Sequence, residues 1–147
     1  MFKKIKKILL DSGIFKANYI YIYSDFRAFF KLLKSNPEKE VKNFLNLFKN
    51  KGITCITPAF SYTTKGKFDV NITKSKVGFL SNFIIKNEKF ERSFHPLFSF
   101  VAIGRNRKLL KKLGKSAFGK NSLHSTLLNK NCCFLNFNRT LIKGNTL

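Results

Sequence analysis

Apolar positions recur along this chain with two periods, and the period changes where Gly, Pro or Asn interrupts it. Phe2, Ile5, Ile8 and Leu9 return every three to four residues with Lys between them, which predicts a short amphipathic helix ending before Gly13. Asn18 to Tyr23 is β-branched and aromatic and reads as a strand. Arg27 to Lys34 carries a helical pattern. Asn36-Pro37-Glu38 then reads as a helix start, because Asn accepts from first-turn N–H groups, Pro is tolerated at the first helical position and acid suits the positive end. The helix that follows places Val41, Phe44, Leu45 and Phe48 on one face and closes at Gly52. Ile53 to Thr57 is continuously apolar or β-branched, as a strand buried on both faces would be, and runs into a turn at Pro58. Strand, helices and strand in this order form a βαβ unit with a right-handed crossover.

Beyond it, Thr63 to Thr73 has no period and reads as an exposed loop. Ser75 to Lys86 reads as a helix with Val77, Leu80, Ser81 and Ile84 or Ile85 inward, and Leu97 to Ile103 as a strand. Asn106 to Leu113 reads as a short basic helix ended by Gly114; Ser122 caps a further small helix, and Cys132 to Asn136 reads as the last strand. Alternating strands and helices predict a layered α/β fold. No repeat or low-complexity linker divides the 147 residues, so the expectation is one domain over 1–147, a size that buries roughly 68–70% of its unfolded surface.

With 44% hydrophobic and 24% charged residues the chain is not of the disordered class. Its net charge of +22 raises nucleic acid, anionic membrane and polyanions as partners. The cations are mostly Lys, however, dispersed along the chain, and not the Arg that reads phosphate and bases bidentately. Abundant Lys, Asn, Phe and Ile with no Trp is also what a coding bias towards A and T produces. No nucleic acid and no membrane are therefore expected as partners, and a small basic nucleic-acid-binding protein is the rival reading, favoured by charge and aromatic content. Cys55, Cys132 and Cys133 show no Cys-x-x-Cys spacing and read as reduced structural thiols, with no metal site expected. The basic start is cut by Asp11-Ser12-Gly13 before a signal-peptide core can form, and a cytoplasmic location is expected.

Candidate chemistry centres on Arg92-Ser93-Phe94-His95-Pro96-Leu97-Phe98-Ser99-Phe100-Val101-Ala102-Ile103-Gly104. His-Pro ahead of an apolar run places an imidazole at a strand entrance, since Pro has no ladder donor and biases its predecessor towards extended backbone. His95 is read either as an acid/base or ligand-orienting group or as a hydrogen-bonded structural imidazole. His124 sits in no motif and reads as a surface or half-buried helix residue.

Taken in order, Pro58-Ala59-Phe60-Ser61-Tyr62, Ser75-Lys76-Val77-Gly78-Phe79-Leu80, the Arg92 segment and Phe118-Gly119-Lys120-Asn121-Ser122 resemble the aminoglycoside 3-N-acetyltransferase family from about Asp11 onward. The resemblance implies a three-layer α/β/α fold with a mostly parallel or mixed central sheet. It implies acetyl-CoA as co-substrate, no metal, and an aminoglycoside or other amino sugar as acceptor. By the same resemblance His95 is the candidate catalytic residue, Ser24, Ser75, Val77 and Gly78 the candidate coenzyme residues, and Ser61, Tyr62 and Asp69 the candidate substrate residues. Asp69 reads equally as a turn cap. Two departures stand out: Tyr23 occupies the place of a family His, and the chain reaches Gly144-Asn145-Thr146-Leu147 where the family has Asn-Thr-x-x-His. The expectation is thus an N-terminal part with an incomplete sheet, poorly active or an inactive remnant by itself, with a separately encoded C-terminal half as partner.

Overall fold

The computed structural model of the protein describes residues 2–32 and 36–137. The end of the helix expected at Lys34 and the reading of residues 144–147 lie outside the described residues. The first strand of the sheet is β1 (Tyr19–Ser24), whose sequence Tyr-Ile-Tyr-Ile-Tyr-Ser alternates two kinds of bulky residue. The pleat sends Ile20 and Ile22 to one face and Tyr19 and Tyr21 to the other, and all four are buried. β2 (Thr54–Pro58) lies parallel to β1 and is buried over its whole length, as its unbroken apolar run predicts.

Antiparallel partners complete one side: β2 pairs with β4 (Phe100–Ile103), and β4 with the two-residue β3 (Glu91–Arg92). On the other side β5 (Cys132–Phe137) lies parallel to β1, giving a mixed five-stranded sheet in the order β3-β4-β2-β1-β5. The isoleucine face is covered by α1 (Phe2–Asp11), α2 (Phe26–Leu32), α3 (Pro37–Lys49) and α4 (Phe79–Asn87), chiefly through Phe44, Leu45, Phe48, Leu80 and Ile84. The tyrosine face is covered by α5 (Leu123–Leu128) and a 3₁₀ segment over Arg107–Lys112, through Leu110, Leu123 and Leu127. The fold is therefore α/β with three layers, as expected.

Local rules explain most boundaries. Asn36 caps α3, its Oδ1 accepting from the N–H groups of Glu38 at 2.8 Å and Lys39 at 3.4 Å. A Lys49–Glu88 ion pair of 2.6 Å then ties the end of α3 to the end of α4. Gly104 closes β4 at φ 105°, where an added Cβ would lie 2.5 Å from the Ile53 carbonyl oxygen, so only glycine lets the chain pass there. Three boundaries differ from the sequence-based expectation. The helix expected from Ser75 begins at Phe79, the strand expected from Leu97 begins at Phe100, and the basic helix over 106–113 is a 3₁₀ segment. In the first two cases side-chain hydrogen bonds, described below, hold the backbone out of regular structure. Among the described residues no helix is long and apolar enough to cross a membrane.

Candidate functional site

Parallel strands end on the same side of a sheet, and the space beyond their carboxyl ends is where open α/β sheets hold ligands. Here that space is a cleft of about 300 Å³. Tyr23 and Ser24 enter it from the end of β1, Thr57 and Pro58 from the end of β2, and Phe60 and Tyr62 from the chain that follows β2. Val77, Gly78, Leu80 and Ser81, around the first turn of α4, form the opposite wall. A neighbouring hollow of about 430 Å³ shares Ser24 and Gly78 and adds Asp25, Arg27 and Phe79. Of the expected coenzyme residues, then, Ser24, Val77 and Gly78 converge on one cleft, and the expected acceptor residue Tyr62 joins them.

Ser75, the fourth coenzyme candidate, is buried and does not line the cleft. Its Oγ donates to the Val77 carbonyl at 2.9 Å and accepts from the Val77 N–H at 3.1 Å. Asn82 reaches back from α4, accepting from the Ser75 N–H at 2.9 Å and donating to the carbonyls of Ser75 at 2.8 Å and Gly78 at 3.2 Å. Between them sits Gly78 at φ 76° and ψ 154°, a region essentially reserved for glycine. This network holds 75–78 in a bend, delays α4 to Phe79 and aims the helix N-terminus into the cleft. Positive partial charge gathers at such an end, which suits an anionic ligand. Sequence reasoning missed Asn82, because a polar residue within a helix carries no sign of the turn it holds.

Arg92 was also missed, and it organises the other wall. Its buried guanidinium donates to the Ala59 carbonyl at 2.8 Å, to Ser99 Oγ at 3.0 Å and to the Thr73 carbonyl at 2.5 Å, and it lies 4.9 Å from the centre of the Phe68 ring. Burial lowers its pKa to about 10, partly offset by the charge of Asp69, so it remains cationic at neutral pH. One planar fork thus fastens both ends of the 59–73 segment. The signal was present in the sequence: an Arg in a chain whose cations are mostly Lys, where three acceptors demand a fork. The acceptor candidates Ser61 and Asp69 serve this same segment. Ser61 is buried, its Oγ donating to the Pro96 carbonyl at 2.6 Å, and Asp69 caps a turn, accepting from the Asn71 N–H at 2.7 Å. Neither lines the cleft.

His95 stands behind the cleft wall. Its Nδ1 accepts from the N–H groups of Leu97 at 3.2 Å and Phe98 at 3.0 Å, which bends 96–98 and delays β4. Its ring packs 5.7 Å from that of Phe98, which in turn meets Phe60 at 5.4 Å and Tyr62 at 5.9 Å. With Nδ1 accepting, the neutral ring carries its hydrogen on Nε2. An Asn at this position keeps an acceptor near the Nδ1 site, whereas Leu strands two N–H groups. Urea unfolding is expected to show His95→Leu destabilised by about 1–2 kcal/mol and His95→Asn by less than half of that. Equal losses for the two would show that the ring's packing, not its acceptor, matters.

His124 lies between Phe118, stacked at 6.1 Å, and the rings of Phe100 at 5.6 Å and Tyr21 at 5.7 Å. Neither ring nitrogen has a hydrogen-bond partner among the described residues, and burial lowers its pKa below the ordinary histidine value. The unfolded chain takes up this proton near pH 6.5, the folded chain only at lower pH, so in between the unfolded state binds more protons. Stability is therefore expected to fall on acidification through that window, and His124→Leu to flatten the dependence. Urea midpoints measured between neutral pH and about pH 5 test this, and parallel curves for the two proteins contradict it.

Fold and cleft together define an α/β domain of the class that binds its ligand over the carboxyl ends of parallel strands. Solved structures of the same architecture include the YokD protein of Bacillus subtilis, with a TM-score of 0.76 at 17% identity over 91% of this chain and 63% of that one. Sisomicin-bound AAC-VIa gives 0.75 at 17% identity over 91% and 58%, and the apoenzyme of aminoglycoside acetyltransferase AAC(3)-IVa 0.74 at 18% over 91% and 53%. No curated protein matches in sequence. The aminoglycoside 3-N-acetyltransferase family profile matches residues 50–137, well over half of the chain, and the protein belongs to that family. It spans between about half and two thirds of the length of the solved structures it resembles. Among the described residues no group of three or more His, Cys, Asp or Glu side chains could hold a metal ion.

Proposed function

We propose that this chain provides the acetyl-CoA-binding and part of the acceptor-binding surface of an N-acetyltransferase acting on an amine of an aminoglycoside or other amino sugar. The observation that carries the reading is the convergence of Ser24, Val77, Gly78 and Tyr62 on one cleft, at the N-terminus of α4 and the carboxyl ends of β1 and β2. The α4 terminus offers backbone donors to a phosphate, the chain's +22 charge draws a polyanionic coenzyme, and Tyr62 offers an aromatic face to a sugar. In the reaction the amine nitrogen bonds to the thioester carbon, the carbon–sulfur bond breaks, and the proton lost by nitrogen ends on the coenzyme sulfur.

None of the residues lining the main cleft is Asp, Glu or His, so deprotonation of the acceptor needs a group from elsewhere in the complete enzyme. A separately encoded C-terminal half is the source this reading names. Calorimetry with CoA and acetyl-CoA tests the binding claim. Saturable binding that survives salt is expected, and binding reproduced in full by inorganic polyphosphate would leave only the charge. Acetyl transfer to sisomicin or apramycin tests the rest: turnover by this chain alone is expected to be lower by a factor on the order of 10²–10⁴ than with a polypeptide that supplies a base.

A further inference from the structure

The lysines of this chain are dispersed in sequence, but the fold gathers several of them at the cleft. Tyr62 and Val77 line it from opposite walls, and the mostly exposed segment between them is fastened by Arg92. Lys65, Lys67, Lys74 and Lys76 of that segment are all exposed, against a single acid, Asp69. Lys76 adjoins Val77, while Lys65 follows Tyr62 and Lys74 precedes Val77 by three residues, so their Cα atoms lie within about 11 Å of the cleft wall. That is about one Debye length at 0.1 M salt, close enough for their charges to act on a ligand.

Acids do not balance them. All seven acidic residues of the chain are described, and none lines the main cleft. Asp25, in the neighbouring hollow, holds Arg27 at 2.7 Å. Asp69 caps its turn and acts on the charge of Arg92. Glu38, Glu88 and Glu91 pair with lysines, and Asp11 and Glu40 belong to α1 and α3. A ligand therefore meets a cleft wall without a carboxylate and a rim of cations. A face suited to a sugar ring is present in Tyr62, 44% exposed, its ring braced edge to face by Phe60 at 6.0 Å and Phe98 at 5.9 Å. Tyr62 also holds a left-handed φ of 49°, a conformation that bulky residues seldom adopt and that clusters at ligand sites. Aminoglycosides carry several ammonium groups at neutral pH, and each is opposed by this field with no carboxylate in the cleft to offset it. An amino sugar that also bears an anionic group is drawn in by the same field.

We propose that the acceptor selected by this chain is an anionic amino sugar, with one reactive amine on a ring that also bears a negative group, and not a polycationic aminoglycoside. The inference rests on the acetyltransferase reading above and narrows its acceptor. Calorimetry on the protein saturated with CoA, which has no acetyl group to transfer, tests it with glucosamine 6-phosphate, glucosamine and sisomicin. At about 20 mM salt glucosamine 6-phosphate is expected to bind about fivefold more tightly than glucosamine, and sisomicin to give no saturable heat. A unit charge about 10 Å away changes affinity by about a factor of two in water, and the rim holds several. About 300 mM salt should shrink the preference. Lys65→Gln/Lys74→Gln is expected to lower it about threefold while CoA affinity stays within about twofold. Sisomicin binding as tight as that of glucosamine 6-phosphate overturns the inference and leaves the coenzyme reading standing. Full displacement of glucosamine 6-phosphate by an equal concentration of inorganic phosphate does the same, since that is the mark of charge without a sugar site. Equal losses of CoA and glucosamine 6-phosphate in the double variant also overturn it, by assigning the lysines to the coenzyme. Failure of the parent protein to bind CoA overturns both readings together.

Discussion

Arg92→Leu is expected to lower the unfolding free energy by about 3–4 kcal/mol, among the largest effects of any single substitution in this chain. Leu fills much of the hydrocarbon volume but abandons the Ala59 and Thr73 carbonyls and Ser99 Oγ in surroundings with little water. Hydrogen bonds to a charged donor contribute about 1.5–3 kcal/mol each, less than additively when one side chain makes three, and Ser99 Oγ still donates to the Ala59 carbonyl. Arg92→Lys keeps the charge without the fork and is expected to recover less than half of the loss. Because Arg92 fastens both ends of 59–73, the substitution also frees the segment bearing Phe60 and Tyr62. Limited proteolysis should cut first there, and acetyl-CoA binding should weaken. A urea midpoint within the range of ordinary surface substitutions, about 0.5 kcal/mol, would show that the carbonyls find other donors.

Gly78→Ala is expected to abolish most coenzyme binding while costing only about 1–3 kcal/mol of stability. The two effects separate because nothing lies within 4 Å of the added Cβ, so the penalty comes from φ 76° and ψ 154° and not from a clash. The backbone relieves that strain by turning towards negative φ. Doing so breaks the hydrogen bonds from Asn82 and Ser81 to the Gly78 carbonyl and swings the first turn of α4 off the cleft. Affinity for acetyl-CoA should fall at least tenfold, which is about 1.4 kcal/mol. Calorimetry beside urea unfolding reads both quantities. Unchanged affinity in a folded Gly78→Ala protein would remove the α4 terminus from the site.

The layered architecture was legible because it is written in periodicity. The β-branched and aromatic run of β1, the 3.6-residue spacing of Val41, Phe44, Leu45 and Phe48, and the Asn36-Pro37 start each belong to one element and need no distant partner. Misplaced boundaries at Ser75 and Leu97 share one cause. In each, a side chain at or just before the expected start of the element makes hydrogen bonds that hold the following residues in a turn. Asn82, seven residues from Ser75, completes the first of these. The candidate site divides the same way. Ser24, Tyr62, Val77 and Gly78 reached the cleft, whereas Ser61, Ser75 and Asp69 turned out to brace the chain around it.

By itself the sequence determined the order of the longer strands and helices and the motifs that place the chain in its family, since these rest on spacing within short segments. Only the tertiary structure decided that β1 and β2 end side by side, that Arg92 spans from the strand region to both ends of 59–73, and that Tyr21 passes a hydrogen bond to Tyr23 at the mouth of the cleft. Those are relations of distance and direction between groups whose sequence separation carries no information about them. They exist only once burial on the two faces of the sheet has fixed where each element lies.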